Sequence, residues 1–160
     1  MSGVYLAQGP QQRDRYALML YQASCVAIGG RAVMIEGPPG TGKTSLALAL
    51  IDRGACLVGD DGVTLDRQDG RLWALPPPRI AGMIEIRNVG IAELEAVSAP
   101  VSLILALDPS APRFVEKAST RDLLGTAVPW LRFAPQGPVA AIRVEYALRM
   151  HGLGSSGGTA

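Results

Sequence analysis

The chain has 160 residues, 48% of them apolar and 18% charged, with fifteen basic side chains against fourteen acidic ones for a formal charge of +1. That composition supports one packed core and excludes a largely disordered chain, because disorder needs low hydrophobicity and high net charge. It gives no basis for a nucleic-acid-coating surface or a polybasic membrane patch, and leaves binding to the phosphates of a small molecule open.

Residues 1–15 are polar and Gly/Gln-rich and predict a mobile N-terminus; they lack the charged and apolar blocks of a signal peptide, so the cytoplasm is the expected compartment. A single domain is expected over 16–151. Its first clear element is the apolar, β-branched run 23–28, closed by Gly29-Gly30 and followed by a partner run 32–36, the pattern of a tight hairpin. Residues 37–44 then form a Gly-rich loop, and 45–52 have the Leu/Ala content of a helix that stops at Arg53-Gly54. A short strand over 55–58 ends at Gly59-Asp60-Asp61. Runs 63–65 and 72–75 flank Gln68-Asp69-Gly70 as a second hairpin, terminated by Pro76-Pro77-Pro78. Residues 83–87 alternate as a strand, and 101–107 form the most apolar run, a central buried strand. After Asp108-Pro109 comes a polar connection carrying Arg113 and Arg121, read as solvated loop, then a strand over 130–133 and a helix over 139–150. The Gly/Ser-rich end, 152–160, predicts a flexible tail.

Two cysteines, Cys25 and Cys56, sit in apolar runs without CxxC spacing, which predicts two buried free thiols and no zinc site. Trp73 and Trp130 are expected at the core edge, and His151 on the surface. Strands outnumber helices, so the fold class is α/β, a P-loop domain with a mixed β-sheet and few covering helices.

The residues Gly37-Pro38-Pro39-Gly40-Thr41-Gly42-Lys43-Thr44 satisfy G-x-x-x-x-G-K-[ST] between an apolar strand and a helix, the context the motif requires. Its glycines let the backbone wrap phosphates closely. Successive N–H groups and the helix N-terminus, with Ser45 next in line, supply donors; Lys43 reaches the outer phosphates and Thr44 offers a hydroxyl to Mg²⁺. Lys43 is one of only two lysines in the chain, so chance placement is a poor explanation.

A phosphate loop does not say what is transferred; a second acidic element decides that. Asp60-Asp61 end the strand after the loop's helix and are placed to hold Mg²⁺ and accept a proton. Asp108 ends the most apolar strand, where the simpler reading is an Asx turn before Pro109. A GTPase is disfavoured because Asn88 is the only asparagine, so no Asn-Lys-x-Asp base-reading motif exists. Spelled GPPGTGKT, the loop alone also looks like that of AAA+ ATPases, but Asp108 is followed by Pro109 and too few residues remain for their helical lid.

A longer pattern, from about residue 23 to residue 107, resembles the catalytic domain of the bacterial HPr kinase/phosphorylase family, above all its short forms without an N-terminal domain. Three blocks carry the resemblance in order and spacing: CVAIGGRAVMIEGPPGTGKTSLALAL from Cys25, RGACLVGDDGV from Arg53, and AGMIEIRNVGI from Ala81, which looks like that family's Glu-x-Arg-Gly-x-Gly signature. The resemblance implies an ATP- and Mg²⁺-dependent kinase acting on a serine of the phosphocarrier protein HPr, reversible with phosphate, in an enzyme that assembles as a homo-oligomer. It implies Asp60 as general base and acid, with Lys43 and Arg87 beside it in catalysis, and Thr44, Asp61 and Glu85 at the metal. Four positions depart from the family pattern: Gln22 stands where a His is usual, Pro39 where Ser is usual, Ser45 where an acid is common, and Asn88 replaces the first Gly of the signature. The alternatives are a P-loop ATPase and a nucleotide-sensing regulatory module with weakened catalysis.

Overall fold

Residues 18–154, the part of the chain that the computed structural model describes, form eleven strands and two helices. In chain order the first half runs β1 (Met19–Tyr21), β2 (Ser24–Ile28), β3 (Arg31–Glu36), α1 (Lys43–Asp52), β4 (Cys56–Gly59), β5 (Val63–Gln68) and β6 (Arg71–Leu75). The second half runs β7 (Met83–Ile86), β8 (Gly90–Glu93), β9 (Ala99–Leu107), β10 (Ser119–Leu123), β11 (Thr126–Phe133) and α2 (Ala140–His151). The expected mobile segment 1–15 lies outside the described residues, as does the tail from residue 155 onward.

Two-residue turns fix the register of the early strands. β2 and β3 pair antiparallel across Gly29-Gly30, with φ of 57° and 84°; β5 and β6 pair across Asp69-Gly70, with φ of 51° and 76°. Positive φ at both central residues gives the turn twist that matches right-handed strands, and Gly and Asp tolerate it.

The nine-stranded sheet is organised around β9. One edge of β9 pairs in parallel with β3; its other edge is divided, the N-terminal end pairing antiparallel with β6 and the C-terminal half parallel with β11. Flanked on both sides, β9 carries seven consecutive buried residues, Ala99 to Leu105, which is why its sequence is apolar except for Ser102 rather than alternating. Full burial of each of its Leu and Ile side chains contributes about 1.5–3 kcal/mol.

Side chains alternate across the sheet and fill two clusters. Val33, Ile35, Leu103 and Leu105 face α1 and α2 and meet Leu46, Leu50, Val144 and Leu148. Met34, Cys25, Val101 and Ile104 face the other way, where the curling sheet supplies Leu65, Leu72 and Leu123 as cover. Both helices therefore lie on one face, and the phosphate loop emerges where β3 turns over to that side.

Several expectations are corrected. Cys56 is exposed while Cys25 is buried, because β4 is an edge strand and Cys56 is its first residue. Arg121 is not in a solvated loop: it lies in β10, a polar strand with only Leu123 buried, and pairs with Glu36. The segment after residue 87 contains a strand, β8, to which the sequence pattern assigned no element. The start of the expected flexible tail is tied down, since the Leu153 N–H donates to the Ser102 carbonyl and Arg31 donates to the Leu153 carbonyl.

Candidate active site

The loop between β3 and α1 is shaped by glycines at positions that other residues fill only with strain or a clash. Gly40 and Gly42 take φ of 83° and 100°, conformations that cost L-residues about 1–3 kcal/mol. A Cβ on Gly37 would stand 2.7 Å from the Thr41 hydroxyl oxygen and 3.3 Å from the Leu107 Cβ. Thr41 closes the loop, its N–H and its hydroxyl both donating to the Pro38 carbonyl at 3.3 and 2.7 Å. Lys43 braces it further, its ammonium donating to the carbonyls of Gly37 at 2.7 Å and Pro38 at 3.1 Å. Helix α1 starts at Lys43 with no side-chain cap on Gly42 and no acid in its first turn. Its leading N–H groups and positive end are thus left to an incoming anion.

Strand β4 delivers Asp60 to the open side of this loop. Asp60 Oδ1 accepts a hydrogen bond from Thr44 Oγ1 at 2.8 Å and another from Ser24 Oγ at 3.1 Å, and Oδ2 accepts the Glu85 N–H at 3.4 Å. One carboxylate therefore joins the phosphate loop, the first hairpin and the segment that carries the Glu85-Ile86-Arg87 signature. Ser24 was not foreseen; a serine opening an otherwise apolar strand, fully buried and hence in need of a partner, was the clue. The approach of Asp60 depends on Gly59, where a Cβ would collide with the Gly62 carbonyl and lie 2.8 Å from Val63 Cγ1. Asp61 follows in a left-handed conformation, φ 66°.

The signature sits on the β7–β8 ribbon, a separate two-stranded sheet. At its tip, Asn88 has φ 69° and Gly90 φ 140°. Asn is the side chain that best tolerates this left-handed position, which explains how it stands where the resembled signature has Gly. The ribbon's base is tied by the Leu94 N–H donating to the Gly82 carbonyl at 2.7 Å.

These elements enclose a cavity of about 570 Å³, lined by Pro39, Gly40, Gly42, Lys43, Thr44 and Ser45 from the loop and α1, by Asp60 and Asp61, and by Glu85 and Arg87. Leu48, Ile86 and Asn88 complete the wall. Gly37, Pro38 and Thr41 do not line it but frame the loop from behind. Asp108 is elsewhere engaged: its Oδ1 accepts the Ser110 N–H at 2.8 Å, the expected Asx turn, and its Oδ2 accepts from Arg132 at 3.3 Å. Arg121 is held by Glu36 and donates to the Tyr21 hydroxyl at 2.8 Å. Burial, then Glu36, pushes the Tyr21 pKa up to about 12, and Glu36 raises that of Arg121. Arg113 lies exposed in the connection after β9.

The residues present fit a nucleotide phosphate chain and Mg²⁺. The loop is a glycine cradle with open N–H donors. No cluster of three or more His, Cys, Asp or Glu side chains able to hold a metal occurs among the described residues, but Mg²⁺ is bound through one or two carboxylates with waters and phosphates completing its shell. The Thr44 hydroxyl and the carboxylates of Asp61 and Glu85, all lining this cavity, match that oxygen-only donor set, and Asp60 stands beside them, bonded to Thr44 at 2.8 Å. No helix among the described residues is long and apolar enough to cross a membrane.

A mixed sheet with few helices, a glycine loop leading into α1 and a facing acid define a P-loop kinase fold. The chain belongs to the HPr serine kinase C-terminal domain family, whose model matches residues 17–99, just over half of it. The HPr kinase/phosphorylase of Clostridium kluyveri is 43% identical over 68 residues, 42% of this chain and 22% of that protein. That of Streptococcus thermophilus is 43% identical over 70 residues, 43% of this chain and 23% of that protein. The matched stretch thus spans less than a quarter of these relatives' length. Among solved structures, the Hpr(Ser) kinase/phosphatase from Coxiella burnetii superposes with a TM-score of 0.72 at 28% identity, covering 82% of this chain and 88% of that one.

Proposed function

We propose that this chain is the catalytic unit of a cytoplasmic serine kinase that uses ATP and Mg²⁺ to phosphorylate a serine of an HPr-like phosphocarrier protein. The observation that carries the proposal is the position of Asp60, hydrogen-bonded at once to the phosphate-loop Thr44 and to the Glu85 backbone in one cavity. The Lys43 ammonium and the first N–H groups of α1 bind the phosphates and neutralise charge as the terminal bond loosens. Thr44 and Asp61, with Glu85 in the same cavity, would hold Mg²⁺, which would supply further charge neutralisation. Asp60 accepts the proton of the serine hydroxyl as its oxygen bonds to the γ-phosphorus and the bond to the β-phosphate oxygen breaks, releasing ADP. Ser24 holds Asp60 from behind, so the acid needs little reorganisation. Arg87 lies across the cavity from the loop, placed to orient the transferred group. Phosphorolysis belongs to the proposal as well: an oxygen of inorganic phosphate held by the loop bonds to the phosphoserine phosphorus as the bond to the serine oxygen breaks. Protonated Asp60 gives the serine oxygen its proton, and pyrophosphate is released. Assembly of the chain with copies of itself, which light scattering reads directly, also belongs to the proposal.

The ATPase alternative loses support because Asp108 is spent on its Asx turn and Arg132 and does not line the cavity. Labelled γ-ATP with an HPr-like acceptor separates the readings. Phosphoserine is expected from the unaltered chain, and Asp60→Asn should lower its formation by about 10²-fold or more while nucleotide binding persists. Asp108→Asn should be close to silent. Full activity in Asp60→Asn, or free phosphate as the only product, would overturn the assignment.

A further inference from the structure

A second cavity, of about 360 Å³, lies on the other side of the first turn of α1 and shares Gly42 and Ser45 with the phosphate cavity. Its walls are Leu46 and Ala49 of α1, Ala140 and Ala141 of α2, and the prolines of the 135–138 loop. None of its lining side chains is charged, whereas every carboxylate and cation of the site lines the first cavity. We propose that this second cavity seats the nucleobase of the nucleotide, and that it recognises the base by shape rather than by its hydrogen-bonding edge. The proposal rests on the phosphate-binding reading of the loop and extends it.

The direction of the nucleotide follows from charge. Its terminal phosphate belongs with Lys43, Thr44 and the metal-side acids, which all lie in the first cavity. The phosphate chain crosses the open N–H groups of the first helical turn, and its other end leaves at Gly42 and Ser45, the mouth of the second cavity. A planar, weakly hydrated ring suits a cleft of Leu, Ala and Pro, where polar side chains would each require a matched partner.

Shape recognition follows from where the cleft's polar groups stand: Ser45 is at the mouth shared with the phosphate cavity, where the phosphate chain passes, and the remaining groups are either engaged or able to pair with both purines. The Thr41 hydroxyl donates to the Pro38 carbonyl. The carbonyls of Ala134 and Gln136 accept from Arg143, at 3.0 and 3.4 Å, and the Arg143 guanidinium lies 4.4 Å from the Phe133 ring centre, so the loop is pinned from beneath. Gln136 is the one side-chain amide at the cleft. It is exposed, and an amide both donates and accepts, so it pairs equally well with adenine or guanine.

Ala49 is exposed on α1 and lines only this cleft, so a large side chain there fills the seat without disturbing the core. The test measures, by calorimetry with Mg²⁺, the binding of ATP, GTP and inorganic tripolyphosphate to the unaltered chain, to Ala49→Trp and to the milder Ala49→Leu. In the unaltered chain ATP and GTP should bind within about five-fold of each other, and about 10–10²-fold tighter than tripolyphosphate, because burying the ring adds favourable contact. Ala49→Trp should bring ATP down to the affinity of tripolyphosphate, with Ala49→Leu between, while tripolyphosphate binding stays unchanged in both and so reports an intact fold. The seat is overturned if ATP binds no tighter than tripolyphosphate in the unaltered chain, or if both Ala49 variants bind ATP normally. A preference above about 10²-fold for one purine overturns recognition by shape. If the unaltered chain binds ATP but not tripolyphosphate, the phosphate-loop reading is what has been overturned.

Discussion

Lys43 and Thr44 stand on a loop whose flanks are sunk in the core, with Val33, Ile35, Leu46, Ala47 and Leu50 all buried, whereas Glu85 and Arg87 stand on a separate ribbon in which Ile84 alone is enclosed. The first region is held by the sheet, both helices and its own internal hydrogen bonds. The second is held by Ile84, by the Gly82–Leu94 hydrogen bond and by the contact of the Glu85 N–H with Asp60. On the proposed function a nucleotide meets a preformed cradle, while Glu85 and Arg87 ride on an element that can shift at small cost. Substitutions in the two regions should consequently have different signatures, and that contrast is open to experiment.

The largest effect is expected at the anchored end. Lys43→Ala removes a charged donor from the phosphates while leaving the core untouched, so ATP affinity should fall by about 10²-fold or more, on the scale of a lost charge-assisted hydrogen bond of about 3 kcal/mol. Far-UV circular dichroism should be unchanged. Normal ATP affinity in calorimetry would remove the loop from the site altogether.

A smaller and differently shaped effect is expected on the ribbon. Gly82 has φ 81°, and a Cβ there would run into the Leu94 carbonyl oxygen. Gly82→Val combines that clash with backbone strain of about 1–3 kcal/mol, displacing Glu85 and Arg87 but not the cradle. Serine phosphorylation should drop by about ten-fold with ATP affinity held within about two-fold, since only positioning is lost. Equal losses in binding and transfer would mean that the two regions act as one rigid unit.

The same contrast explains what the sequence made legible. The phosphate loop, both two-residue turns and the buried β9 are encoded locally, by glycines at fixed offsets and by apolar runs, and each stands where those residues place it. The joining of Asp60 to Thr44 followed from the short return of β4 after α1. The strands that escaped notice, β1, β8 and β10, are short or exposed edges whose side chains largely meet solvent, so no alternation marks them. The pairing of Arg121 with Glu36, 85 positions apart, had no local trace at all. Neither did the cleft between α1 and the 135–138 loop, which exists only because α2 folds back beside α1.

The smallest expected effect tests how the cradle's entrance is anchored. Glu36 immediately precedes Gly37 and shares the sheet face of Met34, where it accepts hydrogen bonds from Tyr21 of β1 and Arg121 of β10. Arg121 also lies 5.2 Å from the Trp130 ring centre. These contacts tie three strands together just before the loop. Burial and the Glu36 carboxylate hold the Tyr21 hydroxyl neutral, its pKa pushed up to about 12 from 10.0. A folded-state pKa above the unfolded value means that the folded chain keeps a proton the unfolded chain gives up. The associated stability is present below pH 10 and is lost as pH rises from there through about 12. Because Tyr21 is only partly buried, solvent screening limits the contribution to about 1 kcal/mol or less. Urea midpoints should place the unaltered chain above Tyr21→Phe at pH 8 to 9, with the gap narrowing steadily by pH 11. A gap that stays constant with pH would show that the hydroxyl is not held neutral by these partners, and a reversed gap at pH 8 would remove Tyr21 from the anchoring of the loop.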